Sequence, residues 1–344
     1  MKTTSEIALH GMIRSPEDIN PAASEIQSMD RSIISVHRYL EAATSHNTRN
    51  AYQTDIRHFL AWGGLLPSTP DVLLHYLKQH ADTLNPRTLK RRLVAIRQWH
   101  ACQQFPDPTS HPLIRKTLSG IFHLHGRPPK KALPLTPEQL TQIVSCLASR
   151  GKTADLRDSA LLQTGFFGAF RRSELVALRW EDIRHVPEGM EIIIRRSKTD
   201  QEGHGTQCAI PYGNSELCPV RAIQRWHATV GNRNEGYVFC RISRHREPAD
   251  HPLAPDSVSR ILKSLATVCG FPQPERYSAH SLRHGFATSA SRQGASFGSI
   301  MRHGRWRHEG TVHGYIEEGR QFEDNAATSI IEGMKKNRNT DNRI

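Results

Sequence analysis

The chain of 344 residues contains no apolar run close to the roughly 18 residues that a membrane-spanning helix requires. Its most apolar stretch, residues 160–170, is interrupted by Gln163 and Thr164. The six cysteines are scattered without paired spacing, which argues against a disulfide framework and against a zinc site built from thiolates. The N-terminal segment mixes charges and has no apolar signal core, so we expect a cytoplasmic protein rather than a secreted one.

Acidic residues are also scarce, because 33 aspartates and glutamates stand against 46 lysines and arginines, which gives a formal net charge of +13. A protein with this excess of positive charge attracts polyanions, and nucleic acid is the leading candidate. A protein that binds DNA would be associated with the nucleoid. A basic surface could instead simply be solvated. The predicted helix 87–102 favours nucleic acid, because its polar side is cationic rather than mixed in sign. The residues expected to contact DNA on this helix and in a later linker are Arg87, Lys90, Arg91, Arg97, Lys130 and Lys131.

Apolar periodicity and turn residues divide the chain into segments. We predict a flexible N-terminal arm at 1–30, a helical domain at 31–124, a linker at 125–134, a second domain at 135–322, and a C-terminal helix and tail at 323–344. The linker carries adjacent prolines and two lysines, which cannot continue a helix. The second domain combines helices with a hairpin of strands near 191–196 and 206–212. The expected fold class is therefore mainly α with a small β-sheet (α+β).

Four segments of the second domain carry unusual polar groups. The first, Gly-Ala-Phe-Arg-Arg-Ser-Glu-Leu at 168–175, places two arginines where one helix ends and another begins. The second places Lys198 in the turn of the predicted hairpin. The third, His-Ser-Leu-Arg-His at 280–284, brings its polar members to one helical face through i, i+3, i+4 spacing. The fourth is Trp306, followed nine positions later by Tyr315.

Arginine, lysine, histidine and tyrosine together suit phosphoryl transfer without a metal ion. Two guanidinium groups can neutralise the non-bridging oxygens of a phosphodiester. A lysine can protonate the leaving alkoxide, a histidine can move a proton, and a tyrosine can attack to form a covalent phosphoester. Because a free phenol has a pKa of about 10, we expect the surrounding positive charge to lower the pKa of Tyr315. The sequence has no P-loop pattern, and a covalent phosphoester would store the phosphodiester energy without ATP.

These segments, in this order and spacing, resemble the tyrosine recombinase (phage integrase) family. The strongest match is residues 280–284 with the family's His-x-Leu-Arg-His. The first segment is similar to the family's Gly-Leu-Arg-x-Ser-Glu-Leu, with Phe170 in place of the leucine. Arg171 and Arg172 compete there for the catalytic position, and counting back two residues from the motif's serine selects Arg171. Glu174 then takes the family's supporting acidic position.

The same resemblance assigns the remaining groups. Lys198 corresponds to the family's hairpin lysine and Tyr315 to its nucleophile. Many members have a histidine nine residues before that tyrosine, whereas this chain has Trp306, as in the Cre-type branch. An indole cannot shuttle protons, so the resemblance makes His280 the main proton carrier. The implied catalytic set is Arg171, Lys198, His280, Arg283, Trp306 and Tyr315, supported by Glu174 and His284.

The resemblance also implies an architecture and an assembly. A helical core-binding (SAM-like) domain would precede a tyrosine recombinase catalytic domain that uses no metal and no other cofactor. The partner would be double-stranded DNA with inverted-repeat sites, bound by a homo-tetramer on two sites that is monomeric off DNA. Strands would exchange pairwise through a Holliday junction. The apolar Ala326, Ile330 and Ile331 of a predicted helix at 324–334 would dock on a neighbouring protomer, or else pack on their own domain.

Three other functions are compatible with parts of the pattern. A type IB topoisomerase shares the chemistry but acts as a monomer that swivels DNA. An architectural DNA-binding protein would keep the fold without the chemistry. A metal site is suggested by the 20 histidines, but no acidic or thiol partner is spaced to complete it. The histidines that raise this last possibility are His280, His284, His303, His308 and His313.

Overall fold

The computed structural model describes residues 44–128, 130–195, 205–214, 217–243, 247–320, 325–328, 330, 331 and 334. The predicted arm at 1–30 lies outside the described residues. Contacts divide the chain into two compact units, Met1–Pro129 and Lys130–Ile344. Helices dominate the described part of both units, and the second also contains short antiparallel sheets. The predicted α+β class is confirmed.

In the described part of the first unit, three of the four α-helices start at proline. Its helices are α1 (His46–Ala61), α2 (Pro70–His80), α3 (Pro86–Cys102) and α4 (Pro112–His125), with a 3-10 turn at Pro108–Ser110. Proline at the first position loses no hydrogen bond and sets the helical φ angle. The side chain of Asn85 caps α3 by accepting a hydrogen bond from the N–H of Arg87 at 2.9 Å. The buried core of this unit includes Ile56, Phe59, Leu73, Tyr76, Leu77, Leu89, Leu93, Ile96, Ile114 and Ile121.

The second unit surrounds a buried helix. Its helices are α5 (Pro137–Arg150), α6 (Thr153–Phe167), α7 (Arg172–Ala177), α8 (Pro219–Thr229), α9 (Pro255–Val268), α10 (Ala279–Arg292), α11 (Phe297–Gly304) and α12 (Glu309–Arg320). Helix α6 is buried along most of its length, including Leu161, Leu162 and Phe166. Helix α5 begins with a capping box between Thr136 and Gln139, as the sequence predicts.

The strands form two small antiparallel sheets. The first has the order β1-β2-β3, made of Ile183–Val186, Gly189–Ile194 and Thr206–Pro211. The second pairs β4 (Cys240–Ile242) with β5 (Pro248–Pro252). In the first sheet, β2 and β3 pair from Gly189↔Pro211 to Ile194↔Thr206. The predicted hairpin is present, but β2 starts and ends two residues earlier than the predicted 191–196.

The chain entering the second unit lies across α10. The N–H of Leu135 donates to the carbonyl of Ser281 at 3.0 Å, and the N–H of Leu133 donates to the carbonyl of Arg276 at 3.2 Å. Gly285 permits this close approach, because a Cβ there would lie 1.9 Å from the carbonyl oxygen of Leu135. The segment is thereby fastened to the helix that carries the predicted histidines and arginine.

The C-terminal segment is described in part. Residues 326–328, 330, 331 and 334 are helical, as predicted for this region. Ile330, Ile331 and Met334 are exposed on this chain. Docking on a neighbouring protomer stays a prediction.

Candidate active site

Helix α10 carries three of the predicted site residues in its first two turns. The Ser278 hydroxyl caps the helix by accepting a hydrogen bond from the N–H of His280 at 3.2 Å. The i, i+3, i+4 spacing then places His280, Arg283 and His284 on one side of the helix. Arg283 and His284 are buried, whereas His280 reaches solvent. The helix thus holds a buried cation next to an accessible imidazole.

Arg283 is held by two other segments. Its Nη1 donates a hydrogen bond to the carbonyl of Ala169, and its guanidinium carbon lies 3.9 Å from the ring centroid of Trp306. Burial, followed by the charge of Arg171, lowers the pKa of Arg283 to about 9, so the group stays positive at neutral pH. Its Nη2 is buried and has no hydrogen-bond partner among the described residues. An anion bound here would supply both a counter-charge and an acceptor.

Arg171 stands at the start of α7 and is paired with Glu174. Nη1 of Arg171 lies 2.6 Å from Oε1 of Glu174, and its backbone N–H donates to Oε2 at 3.0 Å. Nη2 donates to the carbonyl of Arg305 at 3.3 Å. Arg172 points elsewhere and pairs with Asp256 at 2.5 Å. Of the two arginines that compete in the sequence, only Arg171 therefore contacts the other residues of this cluster.

Tyr315 reaches the site from α12, a helix that the sequence reasoning missed. The Tyr315 Oη lies 2.9 Å from Nε2 of His280. Val312, one turn earlier, is fully buried, and Ile316 packs against the same small core. The spacing of Val312, Tyr315 and Ile316 at i, i+3, i+4 was the available signal for this helix. Thr288 of α10 also donates a hydrogen bond to the carbonyl of Tyr315 at 3.4 Å.

The pKa of Tyr315 contradicts the sequence-based expectation. Burial raises it above the ordinary value of 10.0, and the opposing charge of Arg283 is the smaller effect. Glu318, one turn further along α12, adds to the increase. The expected lowering was wrong because the ring is half-buried, and removing a phenolate from water outweighs one nearby cation. Deprotonation of Tyr315 therefore depends on a base.

His280 is suited to be that base. Desolvation by the surrounding protein, followed by the charge of Arg283, lowers the pKa of His280 below 6.5. Arg283 lies on the next turn of the helix, and the charge of Arg171 acts in the same direction. A neutral imidazole at neutral pH can accept the proton of Tyr315 through Nε2.

His284 lies behind the tyrosine ring. The two ring centroids are 4.3 Å apart, and the planes are inclined at 31°. Nδ1 of His284 donates to the carbonyl of Ala132 at 3.2 Å, and Nε2 lies 3.6 Å from the carboxylate of Glu318. The ammonium group of Lys131 lies 3.6 Å from the same carboxylate. Burial lowers the pKa of His284. The predicted supporting residue thus connects the entering segment to the helix of Tyr315.

Trp306 packs against Arg283 and borders the tyrosine. Its ring centroid lies 6.3 Å from that of Tyr315, with planes inclined at 66°. Trp306 is partly buried on the small core around Ile300. Lys198, the remaining member of the predicted catalytic set, lies outside the described residues.

The residues predicted to contact DNA are spread over the two units. Arg91 donates from Nε and Nη2 to the buried carboxylate of Asp55 at 2.8 and 2.9 Å. Arg97 lies 3.5 Å from the carboxylate of Asp107. Several members therefore have partners within the protein, and their contact with DNA stays a prediction. Arg87 donates to a backbone carbonyl, whereas Lys90 and Lys130 are exposed.

Three residues of the site were absent from the predicted set. Arg305 contacts both Arg171 and Glu174. Nε2 of His303 lies 2.6 Å from the carbonyl oxygen of Phe167, and burial lowers the pKa of His303. The carboxylate of Glu318 lies 3.6 Å from both the ammonium group of Lys131 and Nε2 of His284. None of them belongs to the four polar segments of the sequence, and His303 was named there only as a possible metal ligand, so the folded chain is what brings them to this site.

Within the described part of the chain, no three histidine, cysteine, aspartate or glutamate side chains are gathered as metal ligands. No helix in the described ranges is long and apolar enough to cross a membrane.

Comparisons with known sequences identify the family. A model described as the phage integrase family matches residues 134–321. An integrase/recombinase xerD homolog from Selenomonas ruminantium is 36% identical over 312 residues, which cover 88% of this chain and 91% of that protein. Tyrosine recombinase XerC from Xanthomonas campestris is 25% identical over 259 residues, covering 73% of this chain and 72% of that protein. The chain belongs to the phage integrase family, and its enzyme class is that of the tyrosine recombinases.

Solved structures share the fold at low identity. The XerH site-specific recombinase, bound to palindromic difH substrate, has a TM-score of 0.61 at 16% identity and covers 82% of this chain and 78% of that one. The Tn1549 transposon integrase, in complex with transposon right end DNA, has a TM-score of 0.56 at 16% identity, with 85% and 94% covered. These similarities support the architecture described above.

Proposed function

We propose that this chain is a site-specific DNA recombinase that cuts DNA with Tyr315 and holds the cut end as a 3′-phosphotyrosyl bond. The observation that carries this proposal is the 2.9 Å contact between the Tyr315 hydroxyl and Nε2 of His280. A phenol with a base in hydrogen-bond reach is the arrangement that an activated nucleophile requires. The net positive charge and the DNA-bound structures of XerH and the Tn1549 integrase support double-stranded DNA as the substrate.

In the proposed step, Tyr315 Oη attacks the scissile phosphorus while its proton passes to Nε2 of His280. A bond between phosphorus and the tyrosine oxygen forms, and the bond between phosphorus and the 5′ oxygen breaks. The leaving oxygen takes up a proton, for which Lys198 is the predicted donor. Attack by a 5′-hydroxyl group reverses the step and rejoins the DNA. Because the number of phosphoester bonds is unchanged, the reaction needs no ATP, and we assign no step to a metal.

Arg171 and Arg283 are the proposed phosphate-binding residues. Arg283 brings a buried positive charge with an unpartnered Nη2, and Arg171 lies close enough to lower its pKa. Repulsion between the two guanidiniums is relieved when the charge of a phosphate enters between them. Trp306 supports this part of the proposal by covering the guanidinium of Arg283, and its place nine residues before Tyr315 is the basis on which we propose the Cre-type branch for this chain.

The proposed assembly is a homo-tetramer on two DNA sites, formed from monomers on inverted repeats and exchanging strands through a Holliday junction. The palindromic substrate of XerH supports the inverted repeat. The exposed Ile330 and Ile331 support docking of the C-terminal helix on a neighbouring protomer.

The test begins with selection of bound fragments from random DNA by the full chain. A selected duplex with a nick near the cleavage point should then trap the wild type covalently, and peptide mapping should locate the link at Tyr315. Tyr315→Phe should bind the duplex with unchanged affinity and trap none of it, because only the attacking oxygen is lost. Trapping by this variant would contradict the assignment.

Relaxation of supercoiled plasmid without recombinants would favour a topoisomerase, and tight binding without trapping would favour an architectural protein.

A further inference from the structure

Arg305 occupies a backbone conformation that normally favours glycine. It follows the last residue of α11 with φ +57° and ψ +42°, in the left-handed region. A side chain there meets a steric penalty that glycine does not. Non-glycine residues persist in such conformations where surrounding contacts hold them, often at functional sites. The next residue in the chain is Trp306, which covers Arg283.

The side chain of Arg305 joins two loops of the site. It is only 7% exposed, and its Nη1 donates to the carbonyl of His303 at 2.7 Å. Its Nη2 donates to the carbonyl of Gly168 at 2.9 Å and lies 3.6 Å from Oε2 of Glu174. The guanidinium also lies 4.8 Å from the ring centroid of Phe170. The turn before α7 and the turn before Trp306 are therefore held together by one residue.

The backbone of Arg305 adds a second connection. Its carbonyl accepts a hydrogen bond from Nη2 of Arg171 at 3.3 Å. The neighbouring carbonyl of Ala169, which Nη2 of Arg305 approaches at 3.4 Å, is the acceptor for Arg283. Arg171 therefore contacts Arg305 directly, and Arg283 contacts the Ala169 carbonyl that Arg305 also approaches.

The charges explain why a cation is held here. Arg171, Arg283 and Arg305 lie around a single buried carboxylate, that of Glu174. Glu174 is 2.6 Å from Arg171 and 3.6 Å from Arg305, so the carboxylate is shared between them. Without Arg305, the full charge of Glu174 would act on Arg171 and draw it away from an incoming phosphate.

We propose that Arg305 is a positioning residue of the strand-cleavage reaction. It fixes three groups in a single phosphate-binding arrangement, namely Arg171, Trp306 and the Ala169 carbonyl that accepts a hydrogen bond from Arg283. This inference rests on the proposed function. Arg305 does not touch the reacting atoms; it acts through Arg171 and through the carbonyl of Ala169.

The decisive variant is Arg305→Gly in the full chain. Glycine adopts the left-handed turn freely, so the turn is retained while the guanidinium is removed. We expect the rate of covalent trapping at saturating selected duplex to fall about 10–100-fold, as when outer partners of a reactive site are lost. The DNA dissociation constant should change by less than about threefold, because contacts to the DNA backbone elsewhere are unaltered. Arg305→Lys should recover only part of the rate, since a lysine cannot make the forked contacts.

The control is Arg307→Gly, which removes an exposed cation two positions later in the chain and should leave the trapping rate within about threefold at saturating duplex. A double variant supplies the readout that a merely structural role would not move. Because Arg305 acts partly through Arg171, the fold-loss of rate in Arg171→Ala with Arg305→Gly should be smaller than the product of the two single losses.

Each outcome has one meaning. Trapping by Arg305→Gly within about threefold of the wild type overturns the positioning role while leaving the proposed function intact. A double variant whose fold-loss of trapping rate equals the product of the two single losses also overturns the role, because the two residues then act independently. A wild type that traps no selected duplex overturns the proposed function, and the role of Arg305 with it.

Discussion

The guanidinium of Arg283 lies against the ring of Trp306, with its central carbon 3.9 Å from the ring centroid. Arg283 belongs to α10, whereas Trp306 lies in the loop between α11 and α12. The indole face carries negative charge density and holds the cation without neutralising it. Arg283 therefore keeps its full charge for an anionic ligand while being fixed in position.

Substitution of Trp306 separates packing from hydrogen bonding. Trp306→Phe retains an aromatic face, whereas Trp306→Ala loses a cation–π contact worth about 0.5–2 kcal/mol. We expect Trp306→Ala to slow covalent trapping of DNA several-fold more than Trp306→Phe does. Equal losses in the two variants would instead show that the indole N–H donates an essential hydrogen bond.

Removal of the Arg283 side chain should affect the transition state most. Arg283→Ala is expected to cost about 2–4 kcal/mol of transition-state stabilisation, as for the loss of other preorganised donors. The trapping rate at saturating DNA measures this cost, and thermal unfolding checks that the variant folds. Cleavage within about threefold of the wild type would contradict the assignment of Arg283 as a phosphate-binding residue.

Adjacent arginines provide a matched pair. Arg171 contacts Glu174 within the cluster, whereas Arg172 is half-exposed and pairs with Asp256. Arg171→Ala should lower the trapping rate by about 100-fold or more, the usual effect of losing one electrostatic stabiliser. Arg172→Ala removes the same charge one residue later and should change the rate little. The reverse order of effects would assign the catalytic position to Arg172.

Stability should fall as the solution becomes acidic. Burial lowers the pKa of His303 below the 6.5 of a free histidine, and the pKa of His284 is lowered in the same way. As the pH falls below 6.5, these two histidines bind protons in the unfolded chain before they do so in the folded chain. The stability present above this pH is therefore lost as the pH falls through the folded-state pKa. The midpoint of thermal unfolding should be lower at pH 5.5 than at pH 7.5, two conditions about one unit on either side of the free value.

The variant His303→Gln tests the source of this loss. A glutamine amide can still donate to the carbonyl of Phe167, but it does not titrate. The difference in unfolding midpoint between the two pH values should therefore shrink in this variant. A difference as large as in the wild type would show that His303 does not contribute to the acid sensitivity.

Local patterns were sufficient for much of the fold. The capping box at Thr136 and the prolines that start α2 and α3 act within a few residues, so the sequence predicts these helix starts. The predicted β2 was displaced by two residues because pairing with β3 sets its ends. Helix α12 was missed because it has few apolar residues, and its stability comes from packing against α10.

The sequence by itself determined the kinds of groups in the site and their order along the chain, because the spacing of 280–284 fixes which side of one helix they occupy. The resemblance to the family motif already selected Arg171 over Arg172, and the structure adds the contact of Arg171 with Glu174. Only the tertiary structure decided that Tyr315 meets His280 and that burial raises the pKa of the tyrosine. Distance and desolvation between segments depend on packing over the whole domain, and no local pattern encodes them.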